Sequence, residues 1–232
     1  MGQVLQSLRR LNQLKMEKII KVAVADDHIL LRNALSVLIN NTGKCKVLFE
    51  ANNGKELIEK INEGNLPDVI ILDLYMPEMD GYDTAVYLQE KYPNINILML
   101  TMFDNEGTLI RLLKVGVKGF MKKDIHPSEL LHAIQSVDEH GFYYSAQTSS
   151  KLAGLFRSTE NGPLLDKIMM TDLEIQFMKL VCTELTYKEI AFELKMNPRA
   201  IDSIRDALFT RLDVKSRVGL AMHAIRQGIV GI

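Results

Sequence analysis

Val69-Ile70-Ile71-Leu72-Asp73-Leu74-Tyr75-Met76-Pro77 is the stretch from which the fold can be read. Four consecutive aliphatic residues, three of them β-branched, are the pattern of a strand buried on both faces. The run stops at an acid, Asp73, and Pro77 and Gly81 then break the backbone into a loop. In an open parallel sheet ligands bind beyond the carboxyl ends of the strands, so a carboxylate there stands at the functional edge. An aspartate capping the next helix would look the same. The ends of the other strands decide between the two.

From Ile19 the chain alternates strand and helix. The pattern predicts strands at 19–25, 45–50, 68–73, 95–101 and 117–121, with helices near 28–40, 54–63, 81–91, 105–115 and 127–140. Five such units imply an α/β fold with a parallel sheet, helices on both faces and right-handed crossovers. The first strand ends at Asp26-Asp27, the third at Asp73 and the fourth at Thr101, and the fifth is followed by Lys122-Lys123-Asp124. Clustered carboxylates repel unless a cation binds them, and hard oxygen donors suit Mg²⁺. A metal-bound carboxylate beside a lysine and a hydroxyl is equipped to accept a phosphoryl group. His28 reads as a surface residue in the first turn of a helix.

These residues together resemble the receiver domain of two-component response regulators. The resemblance rests on Asp26-Asp27, on Asp73 with Met76-Pro77 and Gly81, on Thr101, and on Gly119-Phe120-Met121-Lys122-Lys123-Asp124. It implies a flavodoxin-like doubly wound sheet of five parallel strands, with Asp73 as phosphoacceptor. Asp26, Asp27, Asp73 and the backbone carbonyl of Tyr75 would hold Mg²⁺, Thr101 and Lys123 would meet the phosphoryl group, and Phe120 would be an aromatic switch. A sensor histidine kinase is the implied donor. Haloacid dehalogenase phosphatases also use an aspartyl phosphate after a parallel strand, but they need an acid two residues on. Position 75 is tyrosine, so an enzyme of that kind is excluded. Tyr75, Met102 and Phe103 flank the path of an attacking water and offer nothing to orient it, so a long-lived acyl phosphate is expected.

The last 65 or so residues are helical in pattern. Thr171-Asp172-Leu173-Glu174 is a capping box, and Thr186-Tyr187-Lys188-Glu189 repeats its chemistry. Asn197-Pro198 opens a third helix reaching about Leu212, and a fourth spans roughly Ser216–Gln227, ending at Gly228. This plan resembles the LuxR-type helix-turn-helix domain of NarL/FixJ regulators, a small all-α four-helix unit, which implies double-stranded DNA as partner and a homodimer on phosphorylation. The candidate DNA contacts are Lys188, Arg199, Asp202, Ser203, Arg205, Asp206, Lys215 and Arg217, the last two through phosphates. Asp202 and Asp206 depart from the family, which commonly has lysines facing the groove there. That acidic helix leaves a second possibility, a helical half that binds a protein partner.

The expected division is an N-terminal extension at 1–15, a receiver at 16–141, a linker at 142–166 and a helix-turn-helix domain at 167–232. Charge agrees with two halves: residues 16–145 carry 13 basic and 19 acidic side chains, and residues 166–232 carry 10 and 9. Neither half is the strongly basic surface of a nonspecific nucleic-acid binder. Cys45 and Cys182 lie far apart in apolar contexts and suggest neither a disulfide framework nor a metal site. No apolar run is long enough for a membrane helix and no signal peptide is apparent, so the cytoplasm is the expected location.

Overall fold

Strand β3 (Val69–Asp73) is buried along its whole length, as an aliphatic run at the middle of a sheet must be. It pairs in parallel with β1 (Ile20–Ala25) on one side and with β4 (Asn96–Thr101) on the other. β2 (Cys45–Ala51) flanks β1 in parallel, and β5 (Gly119–Lys122) and β6 (Tyr143–Tyr144) follow β4. The order β2-β1-β3-β4-β5-β6 is the flavodoxin-like doubly wound arrangement with one strand added at its edge. Its switch point lies between β1 and β3, so the crevice falls where Asp26, Asp27 and Asp73 end their strands.

The structure is a computed structural model that describes residues 18–62, 64–102, 106–158, 170–227 and 229–230. The helices between strands are α1 (Ile29–Asn40), α2 (Gly54–Lys60), α3 (Gly81–Lys91), α4 (Glu106–Lys114) and α5 (Pro127–His140). Each falls within a few residues of its expected range. The extension expected at 1–15 lies outside the described residues.

The sixth strand corrects the expectation of five. Gly141 ends α5 in the left-handed region at φ 81°, which turns the chain back. The Tyr143 hydroxyl then donates to Glu129 at 2.9 Å, and the Tyr144 ring stacks on Phe120 of β5 with centroids 5.9 Å apart. Burial, then the Glu129 carboxylate, pushes the Tyr143 phenol up to about 12. The span expected as linker also holds a helix, α6 (Ala146–Ser158). Ser145 caps it by accepting the Thr148 N–H, so a serine that reads as linker composition is a helix start.

Contacts divide the chain differently from the sequence expectation. One unit runs to Leu100 and takes in Ile125–Tyr143; the other holds Thr101–Asp124 and everything from Tyr144 onward. In the second unit Arg111 of α4 lies 3.5 Å from Asp172.

The helical half of that unit contains α7 (Asp172–Val181), α8 (Tyr187–Glu193), α9 (Pro198–Leu212) and α10 (Arg217–Arg226). Both predicted capping boxes are formed in full, at Thr171 with Glu174 and at Thr186 with Glu189. Asn197 caps α9 through the Arg199 N–H with Pro198 in the first turn, and Asp213 ends it at φ 52°. Ile201 and Leu208 are buried, and Ile204 and Leu212 are partly so, against a core that includes Phe177, Ile190 and Leu220. Among the described residues no helix is long and apolar enough to cross a membrane.

Candidate functional site

At the end of β1 the chain turns sharply. Asp26 is buried, and its Oδ1 accepts the His28 N–H at 2.8 Å, fixing the turn into α1. Nothing in the sequence pattern singles out Arg32, one turn along α1. Its guanidinium is buried and donates to the Asp26 carbonyl, to Asn52 Oδ1 at 2.9 Å and to Glu50 Oε2 at 3.1 Å. A buried guanidinium persists only where its donors are met, so Arg32 ties the acid-bearing turn to the end of β2. Behind it, Asn52 donates to Glu56, and the Lys60 ammonium followed by the Asn52 N–H holds the Glu56 carboxyl down to about 2.

Asp73 ends β3, buried, and the loop after it is pinned from two sides. Gly81 donates its N–H to Leu74 O at 2.9 Å, and Gly54 donates to Met79 O at 3.0 Å. A Cβ at Gly81 would stand 2.2 Å from Asp73 O, so only glycine lets α3 start this close to the acid. Gly81→Ala should therefore cost about 1–3 kcal/mol by overpacking and displace Asp73. A denaturant melt, together with the rate at which Asp73 takes up phosphate, checks it; wild-type values for both would mean the loop yields freely.

The carboxylates of Asp26, Asp27 and Asp73 and the ring of His28 each offer a ligand atom, and these atoms all lie within 4.8 Å of one another. The three acids meet as expected. His28 was not expected there: its Nδ1 lies 3.0 Å from Asp26 Oδ1 and 2.9 Å from Asp27 Oδ1. In the second unit Thr101 closes β4, buried, and its carbonyl accepts the Lys123 N–H at 3.0 Å, while Phe120 is buried in β5. Tyr75 is half-buried and Met102 exposed; Phe103 lies outside the described residues.

The candidate DNA contacts separate into two groups. Lys188, Arg199, Asp202, Ser203, Asp206 and Lys215 are exposed, with the Ser203 hydroxyl donating to Arg199 O. The two arginines that follow are engaged elsewhere. Arg205 meets Asp202 at 2.7 Å and Asp206 at 2.9 Å and sits 5.2 Å over the Tyr187 ring, so it neutralises both acids. Arg217, expected as a phosphate contact, is engaged within the protein. Its Nε donates to Val181 O at 3.1 Å and its Nη2 to Thr183 O at 2.7 Å, while Nη1 donates to Leu185 O. A guanidinium spending three N–H groups on the protein's own turn is a clamp.

Residues 22–135 match the family of response regulator receiver domains. The chain is 30% identical to the signal receiver domain of NarL from Mycobacterium tuberculosis, covering 98% of that chain and 53% of this one, with a TM-score of 0.50. The chain belongs to the NarL/FixJ-type response regulators. Over nearly its full length this response regulator is also similar to the transcriptional regulatory protein YdfI of Bacillus subtilis. The identity is 27% over 212 residues, which are 91% of this chain and 98% of that protein. RcsB from Salmonella enterica shares the fold, at 22% identity and a TM-score of 0.65 over 89% of this chain and 98% of that one.

Proposed function

We propose that a phosphoryl group taken from the phosphohistidine of a sensor histidine kinase onto Asp73 switches this response regulator toward binding double-stranded DNA as a homodimer. The observation that carries the reading is the convergence of Asp26, Asp27 and Asp73 within 4.8 Å at the β1/β3 switch point, in a chain that also holds a helix-turn-helix. RcsB, which has the same fold, is known bound to a promoter in the presence of the phosphomimetic BeF3-.

Three oxygen acids at this spacing fit Mg²⁺, held by Asp26, Asp27, Asp73 and the Tyr75 carbonyl. When bound, Mg²⁺ neutralises charge on the phosphoryl oxygens. An Asp73 carboxylate oxygen attacks phosphorus in line, the N–P bond breaks, and the imidazole leaves with the electron pair. The Lys123 ammonium and the Thr101 hydroxyl meet the transferred group, and Phe120 follows Thr101 as the switch. The protein is a phosphoacceptor with at most slow self-dephosphorylation, acting in the cytoplasm. Its receiver spans 16–141 and its DNA-binding domain 167–232.

Acetyl phosphate with Mg²⁺ should label the chain at Asp73, as mapped by mass spectrometry, and should raise affinity for operator DNA in gel-shift titration. Labelling without any DNA affinity would assign the helical half to a protein partner; absence of labelling would remove the switch.

Asp202→Lys with Asp206→Lys removes two acids from α9 and frees Arg205. Each phosphate newly neutralised steepens the salt dependence by about 0.9 in log–log slope, so nonspecific binding should strengthen and its slope grow by roughly one to three units. Filter binding between low and moderate salt measures this. An unchanged slope would mean that α9 does not face DNA.

A further inference from the structure

We infer that Asp202 and Asp206, held by Arg205, are the base-reading residues of α9 and select cytosine, accepting its N4 amino group in the major groove. The inference rests on the DNA-binding reading above and adds the base that is read. Ile201 and Leu208 are buried, so the opposite face of α9 is the one that can enter a groove. That face carries Arg199, Asp202, Ser203, Asp206 and Thr210 at three- and four-residue spacing. The hydroxyls of Ser203 and Thr210 donate to Arg199 O and Asp206 O, each at 3.0 Å, so they offer no proton outward. What stands forward is acidic: the side chains of Asp202 and Asp206 are 52% and 65% exposed, against 25% for Arg205.

Arg205 is what allows acids to face DNA. It donates to Asp202 Oδ1 at 2.7 Å and to Asp206 Oδ1 at 2.9 Å, and its guanidinium carbon lies 5.2 Å from the centre of the Tyr187 ring. One cation thus offsets much of the charge that phosphates would repel. Each carboxylate spends Oδ1 on it, and Oδ2 has no partner among the described residues. An ionised carboxylate only accepts hydrogen bonds. In the major groove guanine shows it two acceptors and thymine an acceptor and a methyl, whereas cytosine and adenine show an amino group. Adenine sets its N7 acceptor beside that group; cytosine has no such neighbour on its own ring. Cytosine is therefore the base this pair takes. Lysines at the same two positions would choose guanine instead.

Selection from randomised double-stranded DNA, with the full chain treated with acetyl phosphate and Mg²⁺, tests this. Wild type should recover a half-site with two cytosines, and changing either pair from C·G to T·A should cost about five- to a hundredfold in affinity. An asparagine amide both donates and accepts, which matches adenine N6 and N7. Asp202→Asn should therefore exchange one of those cytosines for adenine, and Asp206→Asn the other. Arg205→Ala should weaken binding to the wild-type site about tenfold, and by much less when both acids are already asparagine, because no charge then remains to be offset. Equal losses in the two backgrounds would make Arg205 a packing residue on Tyr187 and overturn its part. Recovered sites that hold no cytosine, or that keep the same bases in both asparagine variants, would overturn the inference and leave DNA binding in place. Failure of wild type to enrich any sequence would remove the DNA-binding reading as well.

Discussion

Asp73→Asn should leave no label where wild type takes up phosphate from acetyl phosphate, a loss of at least about a hundredfold in rate, or roughly 2.7 kcal/mol of barrier. The amide keeps the shape of the carboxylate but has no oxygen lone pair basic enough to attack phosphorus. Shape matters because Asp73 is buried and its carbonyl is crowded by the start of α3. Charge works the other way. Asp26, Asp27 and Asp73 hold three acids within 4.8 Å, and neutralising one relieves like-charge repulsion. The variant should therefore melt at or above the wild-type temperature in the absence of divalent cation. That sign separates chemistry from folding, because a variant that loses label through unfolding would melt lower. Mass mapping and a thermal melt, done on one preparation, give both readings. Label that persists at full rate places the acceptor on another residue.

Much of this site could be read from strand ends alone. A buried aliphatic run ending in an acid has one orientation in a parallel sheet, and topology then brings the ends of β1 and β3 together. That logic needs only backbone direction, and it recovered Asp26, Asp27 and Asp73. It could not recover residues whose role depends on where a long or special side chain goes. Arg32 sits on a helix among apolar neighbours, and no pattern marks it until its guanidinium is seen on Asp26 O and Asn52. Gly81 reads as part of the loop after β3, and what the pattern does not show is that it stands where a Cβ would meet Asp73 O. His28 reads as a surface residue and is exposed, but sequence carries no information on which way the ring at the N-cap of α1 turns. β6 escaped because two tyrosines are too short for a period-two pattern, and the turn into it depends on Gly141.

Arg217→Ala should destabilise the helical half by on the order of 3 kcal/mol, since three charge-assisted hydrogen bonds, each contributing about 1.5–3 kcal/mol and not additive, are lost together. The carbonyls they serve are those of Val181, Thr183 and Leu185, at the end of α7 and in the turn to α8. Such carbonyls have no partner within their own helix, so a donor must come from elsewhere in the chain. Arg217 supplies it from the first turn of α10, more than thirty residues away, and so joins α7 to α10. Its guanidinium also lies 5.5 Å from the centre of the Tyr187 ring, which stacks on buried Phe177. Lysine has the charge but not the planar fork, so Arg217→Lys should regain only about a third of the loss. For a cooperative unit of about 60–100 residues, 3 kcal/mol lowers the melting temperature by roughly 12–24 °C. Circular dichroism of the full chain should show that drop in the transition assigned to the helical half. A phosphate contact would behave otherwise: the melt would be unmoved and DNA affinity would fall uniformly across sequences. A melting temperature within about 2 °C of wild type, alongside weakened DNA binding, would return Arg217 to the DNA surface.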